Sequence, residues 1–177
     1  EQFPTLDPGA TYWFDLSGEG IPGAVNGSVP DTTLTWVPFT YAGTVNAYKL
    51  ESEQATTEDY AKENTYDHSL FIADYAVTHT VSWDDLNAAD KNMIFGKDYQ
   101  SGSVGYTLRA PSAGSNGTGS GDNQRVTPQN NEWDAILDKD SGYIKNWSKM
   151  YSWGQDTHLT DASLRAIRGY SFAPDGV

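Results

Sequence analysis

Leu70-Phe-Ile-Ala-Asp-Tyr-Ala-Val-Thr-His-Thr-Val-Ser-Trp-Asp-Asp-Leu86 is the stretch on which the reading of the fold turns. Its first half, Leu70 to Val77, is apolar, aromatic and β-branched, with one polar break at Asp74. That composition predicts a buried strand. From Thr78 the pattern changes. Thr80 or Ser82 is placed to cap a helix whose first turn carries Asp84 and Asp85, and Trp83, Leu86 and Asp90 or Met93 follow at helical spacing. A core strand handing over to a short capped helix is the expected backbone of the domain.

Working outward, 177 residues suit one domain with a core of its own. No apolar run reaches the length of a membrane helix. The chain begins at Glu1, which reads as a mature or excised fragment. A formal net charge of −13 with scattered Lys and Arg argues against nucleic acid, because no basic patch offsets phosphate repulsion. The absence of cysteine excludes disulfides, thiolate metal sites and thiol catalysis together. An acidic, cysteine-free chain rich in Gly, Asn, Thr and Tyr leans towards an extracellular or bacterial cell-surface protein.

Upstream of the opening stretch, turn formers recur at Pro8-Gly9, Ser17-Gly18, Pro22-Gly23 and Asn26-Gly27, with Thr11 to Leu16 a strand between them. Leu34 to Tyr41 alternates around Pro38 as an edge strand does, and Thr44 to Leu50 is its expected hairpin partner. Thr56 to Glu63 reads as a short acidic helix. Downstream, Lys91 to Tyr99 is a polar connection and Gly105 to Pro111 a strand stopped by proline. Ser112 to Asn123 is almost all Ser, Gly, Asn and Thr, the composition of a mobile surface loop. Asn130 to Leu137 is the best amphipathic helix, capped by Asn130 or Asn131, with Trp133, Ile136 and Leu137 on one face. Loops and short strands fill Tyr143 to Phe172. The expected class is α+β with few helices, in a single domain over 1–177.

Four segments carry a resemblance. Phe71 to Trp83 is similar to the strand-to-helix segment of formylglycine-generating-enzyme-like (sulfatase-modifying-factor) domains, where a "yEVTnaqw" pattern stands. Tyr106-Thr-Leu-Arg-Ala-Pro-Ser112, then Glu132-Trp133, resembles "yRLPTeaEWE" with a long loop inserted. Ile144 to Trp153 resembles the "GNVWEW" segment, and Arg165 to Phe172 the "RVLRGGSW" segment. The resemblance implies a C-type-lectin-like fold, with a twisted antiparallel sheet, about two helices and long loops. Strands and turns of 1–66 would lead into a core over 67–177. It also implies likeness to gut-bacterial surface proteins and to retroelement-diversified variable proteins of the same fold. Two departures stand out: the chain stops at Val177 without the family's closing "GFR" strand, and Gly169-Tyr170 replaces a glycine pair.

The chemistry is weighed against that background. The family's enzymes use active-site cysteines, which this chain lacks. His68, His79 and His158 show no metal-ligand spacing, so no metal site is expected, although loop oxygens leave room for a structural calcium. Asp84 with Asp85 and Glu132 with Asp134 read as helix-start carboxylates rather than a hydrolytic pair. No catalytic residue is assigned. Trp13, Trp36, Trp83, Trp133 and Trp147 read as core. Arg109, Arg165 and Arg168, with Glu132 and Asp156 as acceptors, read as structural. The expected ligand face is Asn146, Tyr151, Trp153, Gln155, Asp156, His158, Tyr170 and Phe172, because aromatic rings on a rigid scaffold make contact area at low entropy cost.

The expected function is a non-enzymatic binding or adhesion module for a protein or glycan, with no nucleic-acid partner and no membrane span in this chain. The alternatives are an assembly subunit whose open sheet edge is completed by strand addition or self-assembly, and a carboxylate-pair hydrolase.

Overall fold

The computed structural model describes residues 3, 5–50, 57–118, 125–137 and 151–168. Within them the chain is mixed sheet and helix, with few helices and several small antiparallel sheets. The largest sheet has three strands in the order β1-β3-β4: β1 (Thr11–Phe14), β3 (Val37–Tyr48) and β4 (Thr65–Ala73). Two-stranded ladders make up the rest. β2 (Ala24–Val25) pairs with β5 (Thr78–His79), and β6 (Lys97–Ser101) with β7 (Val104–Leu108). β8 (Asn116–Thr118) pairs with β9 (Arg125–Thr127), and β10 (Ser152–Thr157) with β11 (Arg165–Arg168).

β3 is the centre of the molecule. The two segments expected as hairpin partners are one continuous strand of 12 residues, paired with β1 on one side and β4 on the other. Gly43, between the two segments, sits in a bulge where the register with β4 shifts between Tyr41 and Gly43. Its φ of +88 is a conformation that glycine adopts without steric cost. Pro38 is tolerated because it lies near the strand start, opposite Trp13, and uses only its carbonyl, which accepts from the Asp74 amide at 2.9 Å.

Successive residues of β4 face opposite sides of the sheet. Phe71 packs with Phe14, Phe39, Tyr99 and Tyr106 on one side. Ile72 packs with Ala42, Ala113, Trp133 and Leu137 on the other. The strand expected from Leu70 to Val77 thus begins earlier, at Thr65, and ends at Ala73. Asp74, the polar break, is buried and accepts from the Thr40 hydroxyl at 2.5 Å.

Both helices ahead of Asn130 start at side-chain caps, the first at a residue the sequence reading did not name. Thr57 caps α1 (Glu58–Glu63), its hydroxyl accepting from the Tyr60 amide. Ser82, rather than Thr80, caps α2 (Trp83–Asn87) in a reciprocal box with Asp85, and that reciprocity accounts for Asp85. Asn131 caps the turn after it, accepting from the Asp134 amide at 2.9 Å. That turn, Trp133–Leu137, is wound as a π-helix. Two other expectations need correction. The polar connection Lys91 to Tyr99 contains the start of β6. The stretch expected as a surface loop is buried at Ser112, Ala113 and Ser115, because Ala113 packs against Trp133 while Ser112 and Glu132 bond to each other.

Candidate ligand cleft

β4, β7 and the Arg109–Pro111 segment all line an open cleft of about 1320 Å³. Its lining includes part of the aromatic core: Phe14, Phe71, Tyr99 and Tyr106 meet edge to face or tilted, with centroids 5.2 to 6.1 Å apart, and the Phe3 ring lies against Phe71 and Tyr106 at 5.8 and 5.9 Å. That is the spacing at which the ring quadrupoles attract. Tyr66, 38% exposed, lines it from the Ile72 side of β4, opposite Phe71, and Tyr151 also lines it, 49% exposed.

Behind Tyr66 lies a buried ion cluster. Alternation along β4 puts Tyr66, His68 and Leu70 on one face, with the Tyr66 and His68 rings stacked at 4.3 Å. Glu132, fully buried at the start of the π-helix, accepts from His68 Nε2 at 2.7 Å and from the Ser112 amide at 3.0 Å. The two terminal Arg109 nitrogens also donate to it, Nη1 at 2.6 Å to Oε2 and Nη2 to Oε1. Burial pushes the Glu132 carboxyl up, but Arg109, His68 and the Ser112 amide together outweigh it and hold it at about 2. Burial likewise opposes the charge on Arg109, and Glu132 more than offsets it, raising its pKa above the ordinary value.

The side chains of this cluster bond one another and the neighbouring backbone. Glu132 spends its oxygens on four donors. His68 faces Glu132 with Nε2 and the Tyr66 carbonyl with Nδ1, at 3.0 Å, so both ring nitrogens are engaged. Among the described residues no group of three or more His, Asp or Glu side chains is arranged to hold a metal ion.

The residues expected at the ligand face divide. Tyr151 and Trp153 line the cleft, and the Trp153 indole donates to the Val81 carbonyl at 3.0 Å, which fixes its ring. Gln155 and Asp156 do not face solvent. Both are fully buried on β10, where alternation breaks at a register shift between Trp153 and Thr157. Gln155 accepts from the Leu50 amide and donates to the Ile94 carbonyl. Asp156 accepts from the Tyr48 hydroxyl at 2.8 Å and the Ala113 amide at 2.6 Å. Burial pushes its carboxyl up to about 6 despite those donors. His158 lies away from the cleft and accepts from Thr160. Asn146, Trp147, Tyr170 and Phe172 lie outside the described residues.

The residues read as structural are placed as follows. Trp83 is buried, its indole donating to the Gly154 carbonyl at 3.1 Å, and the Arg165 guanidinium lies 4.2 Å over its ring. Arg168 bonds Asp134 at 2.7 Å and the Ala113 carbonyl at 2.9 Å beside Trp133, so its acceptor is neither Asp156 nor Glu132. Trp13 and Trp36, read as core, are 51% and 60% exposed. They lie at the start of the β1–β3 ladder, outside the cleft, where no further strand covers them among the described residues. Asn26, a sequon, is buried and donates to the Ala76 carbonyl.

Sequence reasoning did not select Tyr66 and His68. The signal was present: Tyr66, His68 and Leu70 alternate with Asp67 and Ser69 just upstream of the apolar run. No family model, curated protein or solved structure matches the chain.

Proposed function

We propose that this chain is a non-enzymatic ligand-binding or adhesion module, extracellular or on a bacterial cell surface, whose ligand seats in the cleft along β4. The observation that carries the reading is the cleft itself. It combines an aromatic lining, exposed tyrosines at Tyr66 and Tyr151, and the Arg109–Glu132–His68 cluster behind Tyr66, whose side chains hydrogen-bond one another. Rigid rings over a satisfied polar frame make contact area without demanding a reactive group. The resemblance to sulfatase-modifying-factor domains and their C-type-lectin-like fold supports the same class. That part of the proposal rests on the four sequence motifs alone. The ligand face moves accordingly, from the loops after Trp147 to β4 and the Tyr151–Trp153 segment.

The test is a double variant, Tyr66→Ala with Tyr151→Ala, compared with the wild-type chain on protein and glycan arrays. Both side chains are substantially exposed, so folding stability should move by only about 1 kcal/mol or less. The expected result is loss of the wild-type array signals at an unchanged melting curve. Equal signals from the two proteins, or no signal from either, would count against the proposal.

A further inference from the structure

β4 is an edge strand. It pairs with β3 along its whole length, and no strand lies on its other side among the described residues. Apart from the Tyr66 carbonyl, which accepts from the His68 ring, no backbone group of Thr65–Ala73 bonds outside β3 among those residues. An open edge of this kind is usually blunted by lysine, proline or an inward charge. From Ser69 to Ala73 the sequence is Ser-Leu-Phe-Ile-Ala, with none of these.

The open edge runs along the cleft rather than along free surface. Every residue of β4 except Asp67 lines the cleft, and residues of β7 line it too without pairing to β4. Nine residues of strand extend for roughly 30 Å. The cleft volume, about 1320 Å³, lies above the range of roughly 300–1,000 Å³ usual for small-molecule sites. Its charged lining balances, Lys49 and Arg109 against Glu63 and Asp98, with His68 and His79 beside them in the lining. The chain as a whole carries −13, so the cleft is a near-neutral aromatic channel in an acidic molecule.

We propose that the ligand of this cleft is an uncharged, extended polypeptide segment that pairs as an added strand along the outer edge of β4. The N–H and C=O groups of the edge that bond nothing among the described residues call for another backbone, which a sugar or a compact small molecule does not offer at strand spacing. Alternate side chains of the added strand would lie against Phe3, whose amide donates to the Ser69 hydroxyl and whose ring already stands 5.8 and 5.9 Å from the Phe71 and Tyr106 rings. The proposal rests on the cleft being the ligand site, and it names the chemical class of that ligand.

The probe is a phage-displayed library of random linear dodecapeptides, panned against the full chain. Selected peptides are then resynthesised with single backbone N-methyl groups at each position. The account expects uncharged, alternately apolar sequences whose binding slows amide exchange within Thr65–Ala73. It also expects N-methylation to weaken binding at least tenfold at every second position and little at those between, because an added strand donates from alternate residues. Peptides that tolerate every N-methyl group, that protect other amides, or that are never selected would overturn it. If glycans bind and depend on Tyr66 and Tyr151 while no peptide does, the strand proposal falls and the cleft stands. If neither depends on the cleft, both fall.

Discussion

Glu132 and Asp156 are two fully buried carboxylates with opposite electrostatic outcomes. Glu132 has a guanidinium against it and sits at about 2, below its ordinary 4.5. Asp156 has only neutral donors, and burial lifts it from 3.8 to about 6. For Glu132 the unfolded chain takes up the proton first, so its stabilising contribution is lost as pH falls from about 4.5 towards 2. For Asp156 the folded chain takes up the proton first, so stability grows as pH falls from about 6 towards 4. Each limb amounts to about 3 kcal/mol by linkage. Urea melts between pH 7 and 4 should therefore show a gain on acidification, and Asp156→Asn should abolish it. The Asn side chain can keep the Ala113 bond through its oxygen while the Tyr48 hydroxyl turns to accept. A wild-type curve that declines steadily from pH 7 would count against this assignment. Arg109→Ala should cost about 3–5 kcal/mol, because it leaves Glu132 charged and buried without its cation.

At the scale of elements, close approach decides where β10 lies. A Cβ at Gly154 would stand 2.6 Å from the Ala113 Cβ, and the Gly154 carbonyl receives the Trp83 indole. β10 can lie against Pro111–Ala113, and so present Tyr151 and Trp153 to the cleft, only with no side chain at that position. Gly154→Ala should destabilise by about 1–3 kcal/mol in urea titration, through overpacking. Trp133→Ala should cost about 3–5 kcal/mol, since Trp133 fills the core on the side of the sheet opposite Phe71. The elements most legible in the sequence were those whose ends are written locally. Thr57 and Ser82 cap helices through side chains within three residues, and Asn131 does the same for the π turn. β3 was not legible as one strand because a bulge glycine and a turn glycine look alike until the partner strand is known. Burial of Ser112 to Ser115 was hidden for a related reason: small polar residues read as loop, and their partners Glu132 and Trp133 lie some twenty residues on.

Across the whole molecule, the α+β class and the aromatic core were legible from composition and alternation, whereas the site was only partly so. Tyr151 and Trp153 reach the cleft, but their neighbours Gln155 and Asp156 turn inward. Period-two reasoning places residues on faces and does not say which face is covered. Trp13 and Trp36 show the same limit in reverse, being large, apolar and exposed. They form the competing surface for any ligand, since exposed tryptophans of this kind also make contact area. The most direct measurement is an amide NMR titration of the isotope-labelled chain with a peptide selected from the dodecapeptide library. The account predicts shift changes gathered on Thr65–Ala73, Arg109 and Tyr151–Trp153, with Trp13 and Trp36 unmoved. Changes centred on Trp13 and Trp36, with β4 silent, would contradict it.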